Sequence, residues 1–374
     1  MSRRAGPACL LLLLACASGA TDSSGSNPPA HVLVGADVSA LERIEQAGGV
    51  FKHGNTPGDA LAILRQAGAG LFRLRIFVQP DGSEVQVNDL AYTLRMASRV
   101  KATGAQLLLD LHYSDTWADP GHQSTPAGWD TVSIDTLERQ VEDYSASVMT
   151  ALRDQGTLPR IVQVGNEIDG GMLWPLGRVG GAYDTPVQWG RLARLLKAGI
   201  RGVKSVVTPA DSVRIMLHFS GGGSTAGTAW FMDHLRAERV DFDILGLSYY
   251  PWWHGTLAEL KANLNTVASG YSIPVMVVET QYPWRVGGWE NGITHPDAMH
   301  WPVTSAGQAA FLDDVLKTVA TVQGGRGLGV VWWYPESIAV NNLFVYGGGS
   351  LALFGPGGDA LPAVGILSVW GDPQ

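Results

Sequence analysis

The sequence predicts an α/β protein built as a single (β/α)₈ TIM barrel with extended βα loops. Three observations predict it. Short β-rich runs alternate with helix-period segments, the pattern of βα units around a parallel sheet. Eight such runs occur, which is the number a barrel needs. Polar residues gather at the C-terminal ends of those runs, the face on which barrels build their sites. The length of 374 residues agrees, since a barrel typically takes about 250 and passes about 400 with insertions. At 45% hydrophobic and 16% charged residues, the chain can bury a large core and is not globally disordered.

The first twenty residues read as a targeting segment rather than as fold. Arg3 and Arg4 form a positive start, Leu10 to Leu14 an apolar run, and Ser18, Gly19 and Ala20 a small-residue cleavage site. The run is too short to span a bilayer. Two processing routes fit. Cleavage after Ala20 would release a soluble protein. Alternatively, Leu13-Leu14-Ala15-Cys16 resembles a bacterial lipobox, in which Cys16 carries lipid and becomes the mature N-terminus, although Leu14 is not the favoured residue there. The Ser/Gly/Asn/Pro-rich residues 17–29 suit a flexible tether under either route. The expected organisation is a signal peptide over 1–20, a tether over 21–30 and one barrel over 31–374. Both cysteines, Cys9 and Cys16, lie in the leader, so the mature domain has no disulfide and no thiolate metal site. Without Arg3 and Arg4, 24 basic residues face 34 acidic ones, a net charge near −10. Such a protein is a poor binder of nucleic acid or of anionic lipid. Any membrane association would run through a lipid on Cys16. A monomer is expected.

The candidate strands are residues 31–38, 70–77, 106–112, 160–166, 213–219, 242–249, 274–279 and 327–333. The clearest helices lie between them at 59–67, 90–103, 137–155, 186–207, 228–238, 257–268 and 305–322. The final helix is left to the C-terminal tail. Asp37, Arg75, His112, Asn166, Glu167, His218, Tyr249, Tyr250, Glu279, Trp332 and Trp333 all fall at or just past a strand end.

Two glutamates carry the chemistry. Val164-Gly165-Asn166-Glu167 and Val277-Val278-Glu279-Thr280 each end a buried strand on a carboxylate. A buried carboxylate is costly unless it is paired, hydrogen-bonded or protonated. One alone could simply close a strand with a salt bridge. Two, on the fourth and seventh strands, would face each other across the barrel mouth. A retaining glycosidase needs such a pair about 5–5.5 Å apart, one attacking the anomeric carbon and the other protonating the leaving oxygen.

Asn166-Glu167 after the fourth strand and Glu279 after the seventh resemble clan A glycosidases, and the resemblance narrows further. Gly35-Ala36-Asp37-Val38-Ser39, Phe72-Arg73-Leu74-Arg75-Ile76-Phe77 and Leu109-Asp110-Leu111-His112-Tyr113-Ser114-Asp115-Thr116-Trp117-Ala118-Asp119-Pro120-Gly121 resemble glycoside hydrolase family 53. The resemblance covers roughly residues 34–361. It implies an arabinogalactan endo-β-1,4-galactanase acting on β-1,4-galactan side chains of pectin, with Glu279 as nucleophile and Glu167 as acid/base. Substrate contacts are expected from Asp37, Arg75, His112, Asp115, Trp117, Asn166, Tyr250, Trp332 and Trp333, with Trp252 and Trp253 as further sugar platforms. Arg75 is expected to hold the nucleophile ionised, and Arg73 to pair with a strand carboxylate such as Asp110.

The chain departs from the family in two places. The family often carries Trp-Glu-Pro after the eighth strand, where this chain reads Trp333-Tyr334-Pro335-Glu336. Some bacterial members bind calcium beside the loop after the seventh strand. Here residues 285–301 offer Glu290, Asn291, His295, Asp297 and His300 without a tight oxygen array, so no required metal and no cofactor are expected. There is no dinucleotide fingerprint, zinc spacing or serine elbow. Two other readings stay open: another clan A endo-glycanase acting on mannan or xylan, and an inactive glycan-binding surface protein.

Overall fold

The computed structural model describes Met1 and residues 32–371. The leader, the lipobox cysteine and the tether lie outside the described residues. Elements follow in the order β1 (Leu33–Asp37), α1 (Leu41–Gln46), β2 (Phe51–His53), β3 (Thr56–Gly58), α2 (Ala60–Gln66), β4 (Leu71–Ile76), α3 (Leu90–Ala102), β5 (Gln106–Leu111), α4 (Ile134–Asp154), β6 (Ile161–Val164) and α5 (Pro186–Lys204). Then come β7 (Arg214–Phe219), α6 (Thr225–Ala237), β8 (Ile244–Tyr249), α7 (Pro251–His254), α8 (Leu257–Thr266), β9 (Val275–Thr280), α9 (Ser305–Ala320), β10 (Gly327–Trp333) and α10 (Pro362–Trp370). Eight parallel strands close into a barrel in the order β1-β10-β9-β8-β7-β6-β5-β4, and β2-β3 form a separate antiparallel hairpin. All eight expected strands are barrel strands. The sequence reading missed the hairpin and the short α1, which fill the first βα connection.

Most of the helices start where local chemistry supplies a cap. Asp59, Asp89, Ser133, Thr185 and Thr304 each accept a main-chain N–H of the following first turn, satisfying donors the helix leaves free. The buried face of α4 (Leu137, Val141, Val148, Met149 and Leu152) repeats at helical spacing and docks on α5. On α5, Gly199 sits where a β-carbon would meet the Tyr113 hydroxyl at 2.6 Å and Val164 at 2.8 Å, so only glycine lets this helix lie so close to the sheet. No described helix is long and apolar enough to cross a membrane.

The core has two parts. One lies between the strands and the helix ring. The other fills the barrel floor, where Leu71, Leu108, Ile161, Met216, Ile244, Met276, Val278 and Val331 meet inside the sheet. Strand side chains alternate between faces. Two residues beyond this apolar floor the inward positions become Arg73, Asp110, Gln163, His218 and Trp333. Two further on, in β4 and just past β5, they become Arg75 and His112. The strands thus stack a dry layer, a polar layer and an open mouth.

Candidate active site

The polar layer is organised by one cation. Arg73, 1% exposed, donates from Nη1 to Asp37 Oδ2 (2.7 Å) and stands 2.8 Å from Glu279 Oε1. Its Nη2 donates to Asp110 Oδ2 (2.9 Å) and Asn166 Oδ1 (2.8 Å), and its Nε to Gln163 Oε1 (3.3 Å). Burial alone would favour losing this charge, but the carboxylates of Asp110, Glu279 and Asp37 outweigh it and raise the guanidinium pKa. Burial likewise opposes ionisation of Asp110, yet His112 and Arg73 hold its carboxyl below the usual range. His112 places Nδ1 2.8 Å from Asp110 Oδ2, although the ring is not aligned for a good hydrogen bond.

Glu279 reaches the mouth because of an irregularity in β9. Met276 and Val278 point into the barrel floor, and strict alternation would turn Glu279 outward. The pairing with β8 instead jumps from Leu247↔Val277 to Ser248↔Glu279, leaving Val278 as an extra residue. Such a bulge re-aims the next side chain. Glu279 also accepts from the Tyr250 hydroxyl (3.1 Å). Burial pushes its pKa up, the Arg73 cation pulls it down, and Asp37 and Asp110 push it up again.

Glu167 is placed by backbone. Gly165 has φ +83°, and a β-carbon there would meet Ile168 at 2.7 Å. Glu167 itself has φ +45°, a left-handed conformation uncommon outside glycine and found preferentially at functional sites. Burial raises its pKa well above the ordinary carboxylate range, and the charge of Glu279 raises it further, against a hydrogen bond from Ser248. The two carboxyls therefore titrate as a pair. The cation sits on Glu279 and not on Glu167, which favours the ionised form of Glu279 over that of Glu167.

A cleft of about 520 Å³ opens over this pair. Of the residues expected to meet substrate, Arg75, His112, Trp117, Asn166, Tyr250 and Trp333 line it, with both glutamates. Three do not, and the expectation for them is corrected. Asp37 is fully buried and spends its oxygens on Arg73 and Ser39. Asp115 ties two loops together, accepting from the Gln79 N–H (2.9 Å) and the Ala127 N–H (2.7 Å). Trp332 alternates away from Trp333 and donates its indole N–H to Leu351 O (3.2 Å) on the helix side. Arg73 pairs with Asp110 as expected and also takes the contact with Glu279 that was expected of Arg75. Arg75 does not touch Glu279; its guanidinium lies over Trp117 at 4.3 Å and 3.7 Å from Asp37, and finds no hydrogen-bond acceptor among the described residues. Trp252 is core, whereas Trp253 lines the cleft. Tyr334, Phe344 and Tyr346 were not anticipated there. They follow the eighth strand in a loop with no strand or helix period to mark them. Ser248 was missed as well, though it stands two residues before Tyr250 and so shares its face.

Among the described residues no group of three metal-ligating side chains is gathered. In the loop after β9, Glu290 accepts from the Gly287 and Trp289 N–H groups, and His295 Nδ1 lies 2.9 Å from the Thr294 hydroxyl.

Comparison with known proteins adds sequence and fold relatives. The sequence model of glycosyl hydrolase family 53 matches residues 33–367. An uncharacterized protein of Niallia circulans is 42% identical over 320 residues, covering 82% of this chain and 84% of the relative. A probable arabinogalactan endo-β-1,4-galactanase A of Aspergillus terreus is 40% identical over 310 residues, covering 80% of this chain and 84% of the relative. A solved fungal β-1,4-galactanase superposes with a TM-score of 0.80 at 32% identity, covering 91% of this chain and 99% of the other.

Proposed function

The chain belongs to glycosyl hydrolase family 53, and on that premise we propose that its cleft cuts β-1,4-galactan internally, with Glu279 as nucleophile and Glu167 as acid/base. It is a glycoside hydrolase of the arabinogalactan endo-β-1,4-galactanase type. The observation that best supports the residue assignment is the asymmetry of the carboxyl pair. Arg73 and the Tyr250 hydroxyl hold Glu279 as an anion ready to attack the anomeric carbon. Burial and the Glu279 charge keep a proton on Glu167, which it delivers to the leaving glycosidic oxygen. Glu279 then holds the sugar covalently. Glu167, now ionised, takes a proton from water as water displaces Glu279, and the configuration is retained. Trp117, Trp253 and Trp333 offer flat faces for pyranose rings along the cleft.

An open cleft suits internal attack. Early products from linear β-1,4-galactan are expected to be a mixture of oligosaccharides, followed by chromatography over the first minutes and compared with arabinogalactan, mannan and xylan. Galactose as the sole early product would make the enzyme exo-acting, and faster cleavage of mannan or xylan would move the substrate assignment.

The enzyme is taken to act outside the cell. A lipid on Cys16 would leave residues 17–29 as a spacer reaching at most about 45 Å, enough to hold an acidic domain clear of an anionic surface. Fractionation of cells expressing the native chain and Cys16→Ser tests this. Native protein in the membrane and Cys16→Ser in the medium supports an anchor; both in the medium, with no labelled fatty acid incorporated, means a freely secreted enzyme.

A further inference from the structure

We propose that His218 and Ser248 form a one-way hydrogen-bond relay that keeps the Oε1 oxygen of Glu167 an acceptor and so assigns the catalytic proton to Oε2. The proposal rests on Glu167 being the acid/base. Ser248 Oγ stands 2.5 Å from Glu167 Oε1 and 2.9 Å from His218 Nε2. A serine hydroxyl has one proton, so it can donate to only one of these neighbours. Which one is decided at the far side of the imidazole. There the main-chain N–H of Glu167 donates to His218 Nδ1 (3.3 Å), and the Gln163 amide nitrogen lies 3.1 Å away. The Gln163 amide cannot be turned over, because its Oε1 accepts from Arg73 and its nitrogen donates to Asp110 Oδ1 (2.8 Å).

Asn166 Oδ1, 3.0 Å from Nδ1, is the one neighbour that would draw a proton to that nitrogen. It already accepts from Arg73 and from Gln163. The Glu167 N–H is aimed at Nδ1, while the two protons of the Gln163 amide are shared among Asp110 Oδ1, Gly165 O, Asn166 Oδ1 and Nδ1; with Asn166 Oδ1 already taken, Nδ1 is the acceptor of the Glu167 N–H and carries no proton. Burial, with the Arg73 cation nearby, lowers the His218 pKa well below its ordinary value, so the ring is neutral and its single proton sits on Nε2. Nε2–H therefore donates to Ser248 Oγ, and the Ser248 proton has only Glu167 Oε1 to go to. Glu167 Oε2 has no hydrogen-bond partner among the described residues, and the side chain lines the cleft. No proton moves along the relay during the reaction. It fixes orientation, so that the proton lost to the leaving oxygen and regained from water is always the one on Oε2.

The same bond tunes the pH range. The other groups bearing on Glu167 are Glu279 from β9, Asp169 in its own loop, Asp119 from the loop after β5, and the Tyr250 hydroxyl from the end of β8. Of its charged neighbours all are carboxylates and push its pKa up, and Ser248 is the hydroxyl that pulls it down. Without Ser248 the protonated form persists to higher pH.

The test is the pH profile of kcat/KM for Ser248→Ala, Ser248→Thr and the native enzyme. It is run on galactan and on an aryl β-galactoside oligomer with a good leaving group. The alkaline limb of Ser248→Ala is expected to move up by about 0.5–1 pH unit, less than the full worth of a hydrogen bond to a charged group because Ser248 donates to Oε1 of the protonated carboxyl as well. Its kcat on galactan should fall about tenfold, below the roughly 10²–10⁴-fold that losing the general acid outright would cost, because Glu167 is kept and only its orientation is loosened. Ser248→Thr, which keeps the hydroxyl, should restore the limb. A folded Ser248→Ala enzyme with an unmoved limb overturns the relay. Nitrogen NMR of the native enzyme gives an independent reading: His218 must be the neutral Nε2–H tautomer, and the Nδ1–H tautomer refutes the proposal even if the variants do not fold. Glu167→Ala separates the two levels of the argument. If it slows galactan and the activated glycoside equally, the acid/base assignment fails, whatever Ser248 does.

Discussion

Glu279→Ala is expected to lower kcat on galactan by on the order of 10⁴-fold or more, the usual scale for loss of a covalent nucleophile. The fold should survive. Arg73 keeps Asp37 and Asp110 as counter-charges when Glu279 is removed, and the alanine leaves a polar space that water can occupy. Azide or formate should enter that space and attack an activated galactoside directly, giving a product of inverted configuration that NMR can identify. The rescue matters because a merely structural glutamate would lose activity without regaining it from a small anion. Residual activity within about tenfold of the native enzyme would exceed anything a missing nucleophile permits, and would move the nucleophile elsewhere.

Arg73→Ala should be the most damaging single change to stability near the cleft. It strands Asp37, Asp110 and Glu279 in a layer where the first two are fully buried and the third is 6% exposed. Removing one partner of a buried ion pair costs about 3–5 kcal/mol, because the remaining charge is left desolvated. Here one cation serves three carboxylates, so urea unfolding should show a loss at or above that range. Arg73→Lys should keep part of the stability, since an ammonium supplies charge but cannot reproduce the planar fork. Its activity is diagnostic. Burial raises the Glu279 pKa and Arg73 opposes this, so a weaker counter-charge raises it further. The nucleophile must be ionised to attack. The acid limb of the Arg73→Lys profile should therefore move to higher pH, opposite in origin to the Ser248 effect on the alkaline limb. An alanine variant within about 1 kcal/mol of the native enzyme, the scale of an ordinary surface change, would show that the carboxylates find other partners.

The arginines also show where sequence reading stops. Arg73 and Arg75 lie two apart on β4, so alternation correctly puts both inside the barrel. It does not say which depth meets which partner. The stagger of neighbouring strands brings Arg73 level with Asp37 in β1, while Arg75 pairs in register with Asp110 yet rises past it towards Trp117. Register between strands distant in sequence is a tertiary quantity. Glu279 is a second case. Its position at the end of an apolar run marked it, but the bulge that turns it inward leaves no trace in Val277-Val278-Glu279-Thr280. The eight strands were legible because each is a short β-rich run, mostly apolar, set between helix-period segments. The β2-β3 hairpin was not, because its second strand, Thr56–Gly58, is fully exposed and carries a proline. The aromatic rim of Tyr334, Phe344 and Tyr346 escaped for a related reason: a loop has no period, and its side chains meet the cleft only through the path of the backbone.

The seam of the barrel has a kinetic meaning. β1 is hydrogen-bonded on one side to β4 and on the other to β10, with Gly35 beside Val331 and Asp37 beside Trp333. α10 then packs against α2, α9 and β1 across the same join. The first strand therefore waits for almost the last part of the chain before its second edge is covered. Contacts of such long sequence separation form late and slow folding. The ring closes only when β10 joins β1 to β9, and of the Arg73 contacts it is the one to Glu279, reaching from β4 across to β9, that needs this closure, since Asp37, Asp110 and Asn166 stand on β1, β5 and the end of β6, beside β4 in the open sheet.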